Sequence, residues 1–324
     1  MSTSRLQHWI LILAIFMATF VLPVSARAAY PDQPIRIICG YAAGSGADVI
    51  VRYFAAKLER FAGQSIIVEN RPGAFGNIAT QATVSAKPDG YRIMLSGTAT
   101  VVGNLFLIKD IPFDPIKDLQ PVSSLLRNGF ILTTSPNGKV NSVAELIASL
   151  KGKATAKYGQ SSGNSLASAE LFLAQAGLTS QRVNYKSSAE MVPDIASGEL
   201  DFGMIDAVFA IAQARQNRVK LLAATPSTRV PGAPDVLPMA EAGLPGYAFA
   251  ANWAAWFPKG TPPEIVKQMH DWLDQIVKSR ETKEFLANNG ADPLPNTVEG
   301  TQALIMSDYD TWARVAAAAK LEKQ

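Results

Sequence analysis

Apolar residues recur along the chain at two spacings, one typical of buried strands and the other of amphipathic helices. Ile35–Cys39 is a short apolar run of strand length. After a polar loop, residues 48–62 carry apolar side chains such as Ile50 and Phe54 at helical spacing. The same signals predict a strand at 66–68, a helix at 77–86 and a strand at 92–95.

A second set of strand and helix signals begins near residue 127. Ser142 with Glu145, and Ser187 with Glu190, are capping-box pairs that predict helix starts. Alternating strands and helices are typical of largely parallel sheets covered by helices. A chain of 324 residues has room for two such units. The sequence therefore predicts an α/β protein with two domains.

The first residues have the pattern of a secretory signal peptide. Arg5 precedes an apolar run at 9–24, and residues 26–28 read Ala-Arg-Ala, a small-residue cleavage pattern. The alternative is a permanent membrane anchor, but the run is shorter than the about 20 residues that a spanning helix needs. We expect residues 1–28 to be a cleaved signal peptide and the mature protein to reside in the periplasm.

The mature chain is nearly neutral and poor in catalytic side chains. Without residues 1–28 it has 28 basic and 27 acidic residues, so no basic excess favours nucleic acid. Cys39 lies in an apolar run and is expected to be a buried, unreactive thiol. His270 is the only histidine left, and its polar neighbours predict a solvent-facing helix position. One histidine cannot build a multi-histidine metal site, and a secreted hydrolase with a histidine base would have to use His270. We therefore expect a protein that is not an enzyme and that holds no metal and no cofactor.

Two glycine- and serine-rich loops each join a predicted strand to a predicted helix, one in each half of the chain. They are residues 41–48 (YAAGSGAD) and 159–165 (GQSSGNS). Glycine allows close backbone approach, a helix N-terminus favours an anion, and serine hydroxyls add hydrogen bonds. The alternative is a pair of tight turns without a ligand, and neither loop fits a nucleotide-binding pattern. The candidate ligand-binding residues are Tyr41, Ala43, Gly44, Ser45 and Gly46 in the first loop and Gln160, Ser161, Ser162, Asn164 and Ser165 in the second.

Three further polar residues follow predicted strands. Ser96 and Thr98 come at the carboxyl end of a strand, where α/β proteins bind ligands, and are candidate ligand contacts. Asp206 either contacts a ligand group that donates a hydrogen bond or caps the next helix, and both interpretations stay open. Trp253 and Trp256 are interpreted as core or hinge aromatics rather than as ligand platforms.

Several segments occur in the order found in one family of transport receptors. Residues 68–77 (VENRPGAFGN) closely resemble the V-E-N-R-P-G-A-G-G segment of the tripartite tricarboxylate transporter receptors, also called Bug-type solute-binding proteins. The set also includes 30–36 (YPDQPIR), 88–91 (PDGY), 113–122 (FDPIKDLQPV), 185–186 (YK), 234–236 (PDV), 240–247 (AEAGLPGY) and 258–262 (PKGTP). The resemblance covers nearly the whole mature chain.

This resemblance implies a type II periplasmic-binding-protein fold, with two lobes of mixed, mostly parallel sheets and a ligand cleft between them. Domain I would comprise 29–124 and 252–324, and domain II 125–251, with chain crossings near 122–127 and 247–253. The resemblance also implies a monomeric receptor that takes a small carboxylate, a dicarboxylate or an aromatic acid, to integral-membrane permease subunits. The alternative role is a ligand-loaded sensor for a two-component signalling system.

The chain departs from the family pattern in both loops. Tyr41, Ala43 and Ser45 replace a phenylalanine, a proline and a glycine of the first loop, and the second loop is shorter and lacks a histidine. Phe75 replaces a glycine in the segment 68–77. The resemblance therefore implies the fold more directly than it implies the ligand.

Overall fold

Strands and helices alternate along the chain as the apolar spacing predicts. The computed structural model describes residues 30–153 and 155–323, so the expected signal peptide at 1–28 lies outside the described residues. The strands are β1 (Ile35–Cys39), β2 (Ile66–Asn70), β3 (Arg92–Gly97), β4 (Leu119–Asn128), β5 (Phe130–Thr134), β6 (Lys157–Gln160), β7 (Gln181–Asn184), β8 (Phe202–Asp206), β9 (Lys220–Ala224), β10 (Ala251–Pro258) and β11 (Ala291–Pro293). The α-helices are α1 (Gly46–Ala62), α2 (Asn77–Val84), α3 (Asn104–Leu107), α4 (Val143–Leu150), α5 (Gly163–Ala176), α6 (Ser188–Ser197), α7 (Ala207–Arg215), α8 (Pro263–Lys278), α9 (Arg280–Asn288) and α10 (Val298–Ala318).

The strands form two mixed sheets. The first has the order β11-β4-β10-β3-β1-β2 and the second the order β7-β6-β8-β5-β9. Mixed sheets were expected, but parallel pairing is less frequent than expected: among the described residues, four of the nine strand pairs are parallel. Each antiparallel pair contains β4, β5 or β10, the strands next to the two passages between the sheets: β10 runs antiparallel to β3 and β4, β11 to β4, and β5 to β8 and β9.

The chain passes between the sheets twice. Strand β4 ends at Asn128 and β5 begins at Phe130, so the first passage is at Gly129. The chain returns after β9, where the Phe249 N–H donates to the Thr225 carbonyl at 2.8 Å, and β10 then joins the first sheet. We call residues 33–128 and 251–323 the first lobe and residues 130–250 the second lobe. The domain boundary expected between 124 and 125 falls inside β4.

Two helices begin earlier than their apolar spacing predicts. Helix α1 was expected at residue 48 and begins at Gly46, because the Ser45 side chain caps it by accepting the Asp48 N–H at 3.2 Å. Helix α5 was expected at residue 166 and begins at Gly163, because Ser162 caps it in the same way. The polar residues of both predicted loops are therefore helix caps and first turns.

Cys39 and His270 both lie in the first lobe. Cys39 is buried, as expected, and desolvation raises the pKa of its thiol to about 11. The expectation for His270 is wrong: the side chain is half-buried, and its Nδ1 lies 3.0 Å from the Val122 carbonyl oxygen. The reason is that α8 packs against β4, so this polar position faces the sheet rather than solvent.

Candidate functional site

Four helices begin at one cavity between the lobes. Their capping residues Ser45, Ser162, Ser187 and Asp206 all line it. In each cap the side-chain oxygen accepts a hydrogen bond from the backbone N–H of the residue three positions later, at 3.0–3.4 Å. One of these helices, α1, belongs to the first lobe, and α5, α6 and α7 belong to the second. We call this space, of about 40 Å³, the inner cavity.

Converging helix N-termini make the inner cavity favourable for an anion. The N–H groups of a helix's first turn have no acceptor within the helix, and the helix dipole adds positive potential there. Lys186 lines the cavity as well, and its ammonium has no ion-pair partner in the part of the chain that the structure describes. The arrangement suits the capture of a carboxylate by backbone N–H groups, with one cation nearby.

Two stacked aromatic rings form one wall of the inner cavity. Tyr41 stacks on Trp253 with 5.5 Å between ring centroids, and the Trp253 indole N–H donates to Asn128 Oδ1 at 3.0 Å. Ser96 and the Gly97 backbone form hydrogen bonds with the Tyr41 hydroxyl. Burial raises the pKa of Tyr41 well above its ordinary value, so the hydroxyl stays protonated. The wall is therefore rigid, uncharged and held in place by partners behind it.

Within the described part of the chain, Asp206 is the only carboxylate that lines the inner cavity. Its Oδ1 caps α7 by accepting the Phe209 N–H at 3.0 Å. Desolvation raises the pKa of Asp206 from 3.8 to about 6, against smaller opposing effects of backbone hydrogen bonds. A carboxyl group with this pKa is readily protonated, and in that form it can donate a hydrogen bond to a ligand oxygen.

The structure brings about half of the predicted site residues to the inner cavity. Those that line it are Tyr41, Ser45, Ser161, Ser162, Asn164 and Asp206. Gln160 lines the adjoining groove instead. The residues that line neither space are Ala43, Gly44, Gly46, Ser96, Thr98 and Ser165.

Most of these remaining residues support the cavity from behind or stand outside it. Ala43 and Gly44 are exposed at the turn of the first loop, where the Gly44 N–H donates to Asp48 Oδ2 at 2.9 Å. Thr98 hydrogen-bonds Asp308 of α10. The Ser165 hydroxyl donates to the Met204 carbonyl at 2.6 Å and fixes α5 on β8.

Other lining residues were missed by the sequence interpretation. They are Ala42, Ala47, Ile50, Asn128, Phe130, Lys186, Ser187, Ser188, Ala251 and Trp253. Ser187 carried a usable signal, because its capping box opens a helix directly after a strand, as in the two predicted loops. Trp253 was interpreted as a core or hinge residue; it is buried in β10 and also lines the cavity.

A wider space of about 470 Å³ adjoins the inner cavity. The first lobe lines it with residues 40–41 and 72–76, and the second lobe with residues 160–162 and 184–186. We call it the outer groove. Tyr41, Ser161, Ser162 and Lys186 border both spaces, so the groove leads directly into the cavity.

Known proteins share this architecture, and their sequences align with most of this chain. The model of the tripartite tricarboxylate transporter family receptor matches residues 50–321. The chain belongs to this receptor family.

Protein BugT of Bordetella pertussis is 31% identical over 310 residues, which are 94% of this chain and 95% of BugT. The solved structure of R. palustris Rpa4515 with adipate has a TM-score of 0.88 and 28% identity, and it covers 91% of this chain and 100% of the other. The periplasmic binding protein BugD has a TM-score of 0.86 and 26% identity with the same coverage.

Membership of the receptor family confirms several expectations from the sequence. The chain has the α/β periplasmic-binding-protein fold, and it is a solute-binding receptor rather than an enzyme. In the described part of the chain, no helix combines the length and the hydropathy of a membrane span. Apart from these expectations, the described residues contain no group of three or more His, Cys, Asp or Glu side chains arranged to hold a metal ion.

Proposed function

We propose that this receptor captures a small carboxylate in the periplasm and delivers it to integral-membrane permease subunits of the tripartite tricarboxylate type. The observation that carries the proposal is the convergence of four helix N-termini, with Lys186, on the inner cavity. The Rpa4515 structure with adipate, a relative at 28% identity, supports a carboxylate as the ligand class. Periplasmic location is supported by the family and by the signal-peptide pattern of residues 1–28.

The ligand's carboxylate would accept hydrogen bonds from the first-turn N–H groups of α1, in the first lobe, and of α5, in the second lobe. Ser45, Ser161, Ser162 and Asn164 would surround it with hydroxyl and amide groups. Binding from both sides would hold the lobes together, which is how a ligand favours the closed arrangement of a hinged protein. A closed receptor then differs in shape from an empty one, and a permease can distinguish the two.

Calorimetric titration of the mature receptor tests this function. The panel contains aliphatic and aromatic mono-, di- and tricarboxylates, together with uncharged sugars and cationic amines as negative probes. At least one carboxylate is expected to bind, and the Ser45→Trp variant to lose that binding because the indole fills the cavity. Ser45→Ala is the matched control: it removes the same cap, at a cost of about 1 kcal/mol of stability, but leaves the cavity open.

Two outcomes would count against the proposal. Binding of a sugar or an amine, with no carboxylate bound, would overturn the ligand class. Equal carboxylate affinity in the Ser45→Trp variant would remove the inner cavity from the site.

A further inference from the structure

The inner cavity is too small for a whole organic acid. One buried water needs about 10–15 Å³ of such space, so about 40 Å³ accommodates a carboxylate group and little more. The body of a larger ligand must extend through the opening that is bordered by Tyr41, Ser161, Ser162 and Lys186. This opening leads into the outer groove, whose volume is about 470 Å³.

The two walls of the outer groove differ in character. The first lobe contributes Tyr41, Pro72 and Phe75, which present rings and no charge. The second lobe contributes Gln160 and Asn184, whose side-chain amides are bonded to each other at 2.6 Å, together with Tyr185. The Tyr185 hydroxyl donates to Asp194 of α6, which fixes the ring. Aromatic rings from both lobes therefore border the groove.

Phe75 is held in a backbone conformation that phenylalanine rarely adopts. Its φ of 53° and ψ of 32° are left-handed, and its neighbour Ala74 also has a positive φ of 45°. Left-handed backbone is strained for a residue with a β-carbon, because the β-carbon approaches the following carbonyl oxygen. Glycine would avoid this strain, and the segment that residues 68–77 resemble has glycine at this place. The ring packs on one side against core residues and borders the groove as well.

Charge restricts what the outer groove can hold. Among the described residues that line it, Lys186 is the only charged one, and Lys186 lines the inner cavity as well. A carboxylate in the inner cavity would therefore lie near Lys186, the cation that the two spaces share. A second carboxylate farther along the groove would meet no cation among the lining residues and would be desolvated against Phe75.

We propose that the outer groove is an aryl subsite, in which Phe75 and Tyr185 bind the uncharged aromatic body of a monocarboxylate whose acid group occupies the inner cavity. This inference rests on the proposed function and narrows its ligand class. Phe75 is the residue that determines specificity: the strained backbone at this position is retained because its ring supplies an apolar face for the ligand's ring.

Calorimetry with four probes tests the aryl subsite. The probes are propionate, hexanoate, adipate and 3-phenylpropionate, which share a carboxylate and differ in the body attached to it. The wild-type receptor is expected to bind 3-phenylpropionate at least about tenfold more tightly than adipate or propionate. Phe75→Gly should remove most of this preference while its affinity for propionate stays within about twofold. Phe75→Leu, which keeps an apolar side chain without the ring, should bind hexanoate as the wild type does and lose affinity for 3-phenylpropionate.

Phe75→Gly also relieves left-handed backbone strain, and Asn217→Gly is the control for that effect. Asn217 has a φ of 54° and lines neither space, so the substitution relieves left-handed strain without altering the site. Its ligand preferences should equal those of the wild type. Circular dichroism and thermal unfolding establish that each variant is folded.

The outcomes separate the two claims. If adipate binds more tightly than 3-phenylpropionate, or if Phe75→Gly weakens all four probes equally, the aryl subsite is wrong and carboxylate capture stands. If no carboxylate in the panel binds, propionate included, the proposed function itself fails and this inference fails with it.

Discussion

Gly46 at the start of α1 lies directly against the carboxylate of Asp206, and the two residues belong to different lobes. A β-carbon on Gly46 would overlap Asp206 Oδ1 and would lie 3.1 Å from the Val208 β-carbon. Asp206 cannot easily move away, because the same oxygen caps α7 through the Phe209 N–H. This contact is therefore a steric requirement for the close approach of the lobes.

Gly46→Ala should weaken ligand binding by at least about tenfold. The added methyl group hinders closure, whereas alanine is at least as good a helix residue as glycine, so the melting temperature should not fall. Calorimetry measures the affinity, and small-angle scattering with ligand present measures closure. Gly138→Ala is the control, since a β-carbon there would make only an ordinary contact, at 3.4 Å, with Ser135. Unchanged affinity in Gly46→Ala would show that the lobes need not meet at this point.

Asp206→Asn should stabilise the protein at neutral pH. The pKa of Asp206 is about 6 in the folded state and near 3.8 in the unfolded chain. The folded state therefore binds more protons between these values, and its stability falls as pH rises from about 4 to about 6. Asparagine is an equally good cap and carries no charge, so the variant should gain about 3 kcal/mol at pH 7.5 and about 1 kcal/mol at pH 4.5. Urea unfolding at both pH values measures the difference; an equal effect at both would contradict the raised pKa.

Ligand binding should be linked to proton uptake. A carboxylate in the inner cavity disfavours the charged form of Asp206 and raises its pKa further. The other ionisable groups at the cavity wall are Lys186 and Tyr41, and burial raises the pKa of Tyr41 well above its ordinary value, so its hydroxyl stays protonated. Affinity should therefore decrease as pH rises from about 5 to about 8, and the decrease should be smaller in Asp206→Asn. Titration calorimetry in two buffers of different ionisation enthalpy measures the protons taken up, and buffer-independent heats would be inconsistent with this linkage.

Lys186→Gln should weaken carboxylate binding by about three- to tenfold and reduce its dependence on salt. Lys186 is exposed, so its attraction to an anion is screened by ions in solution. Calorimetry at low and high ionic strength measures both effects. Lys151→Gln is the control, because Lys151 is an exposed lysine that lines neither the cavity nor the groove. The same salt dependence in both variants would exclude Lys186 from the site.

The sequence predicted local features of the site better than its assembly. Ser45 and Ser162 were placed in the correct loops because glycine, serine and helix-start signals are local. Ser187 and Lys186 were missed because their position depends on sheet order. Strands β6, β7 and β8 are parallel neighbours, so their carboxyl ends, and the helix starts that follow, lie at one edge of the second sheet. Such adjacency is not encoded in the spacing of residues along the chain.

Ser96 and Thr98 show the opposite limitation. The rule that ligands bind beyond the carboxyl ends of strands placed them at the correct edge of the first sheet. Their side chains are buried there, Ser96 beneath the Tyr41 hydroxyl and Thr98 against Asp308. Whether a polar side chain at a strand end faces a ligand or another side chain depends on what packs above it, and that information comes only from the folded chain.

A crystal structure of the mature receptor with 3-phenylpropionate tests the central claim most directly. We predict that its carboxylate oxygens lie within about 3 Å of first-turn N–H groups of α1 and α5, in the cavity bordered by Ser45 and Ser162, as expected for charge-assisted hydrogen bonds. A carboxylate bound outside this cavity, or inside it without contact to either helix N-terminus, would contradict the account.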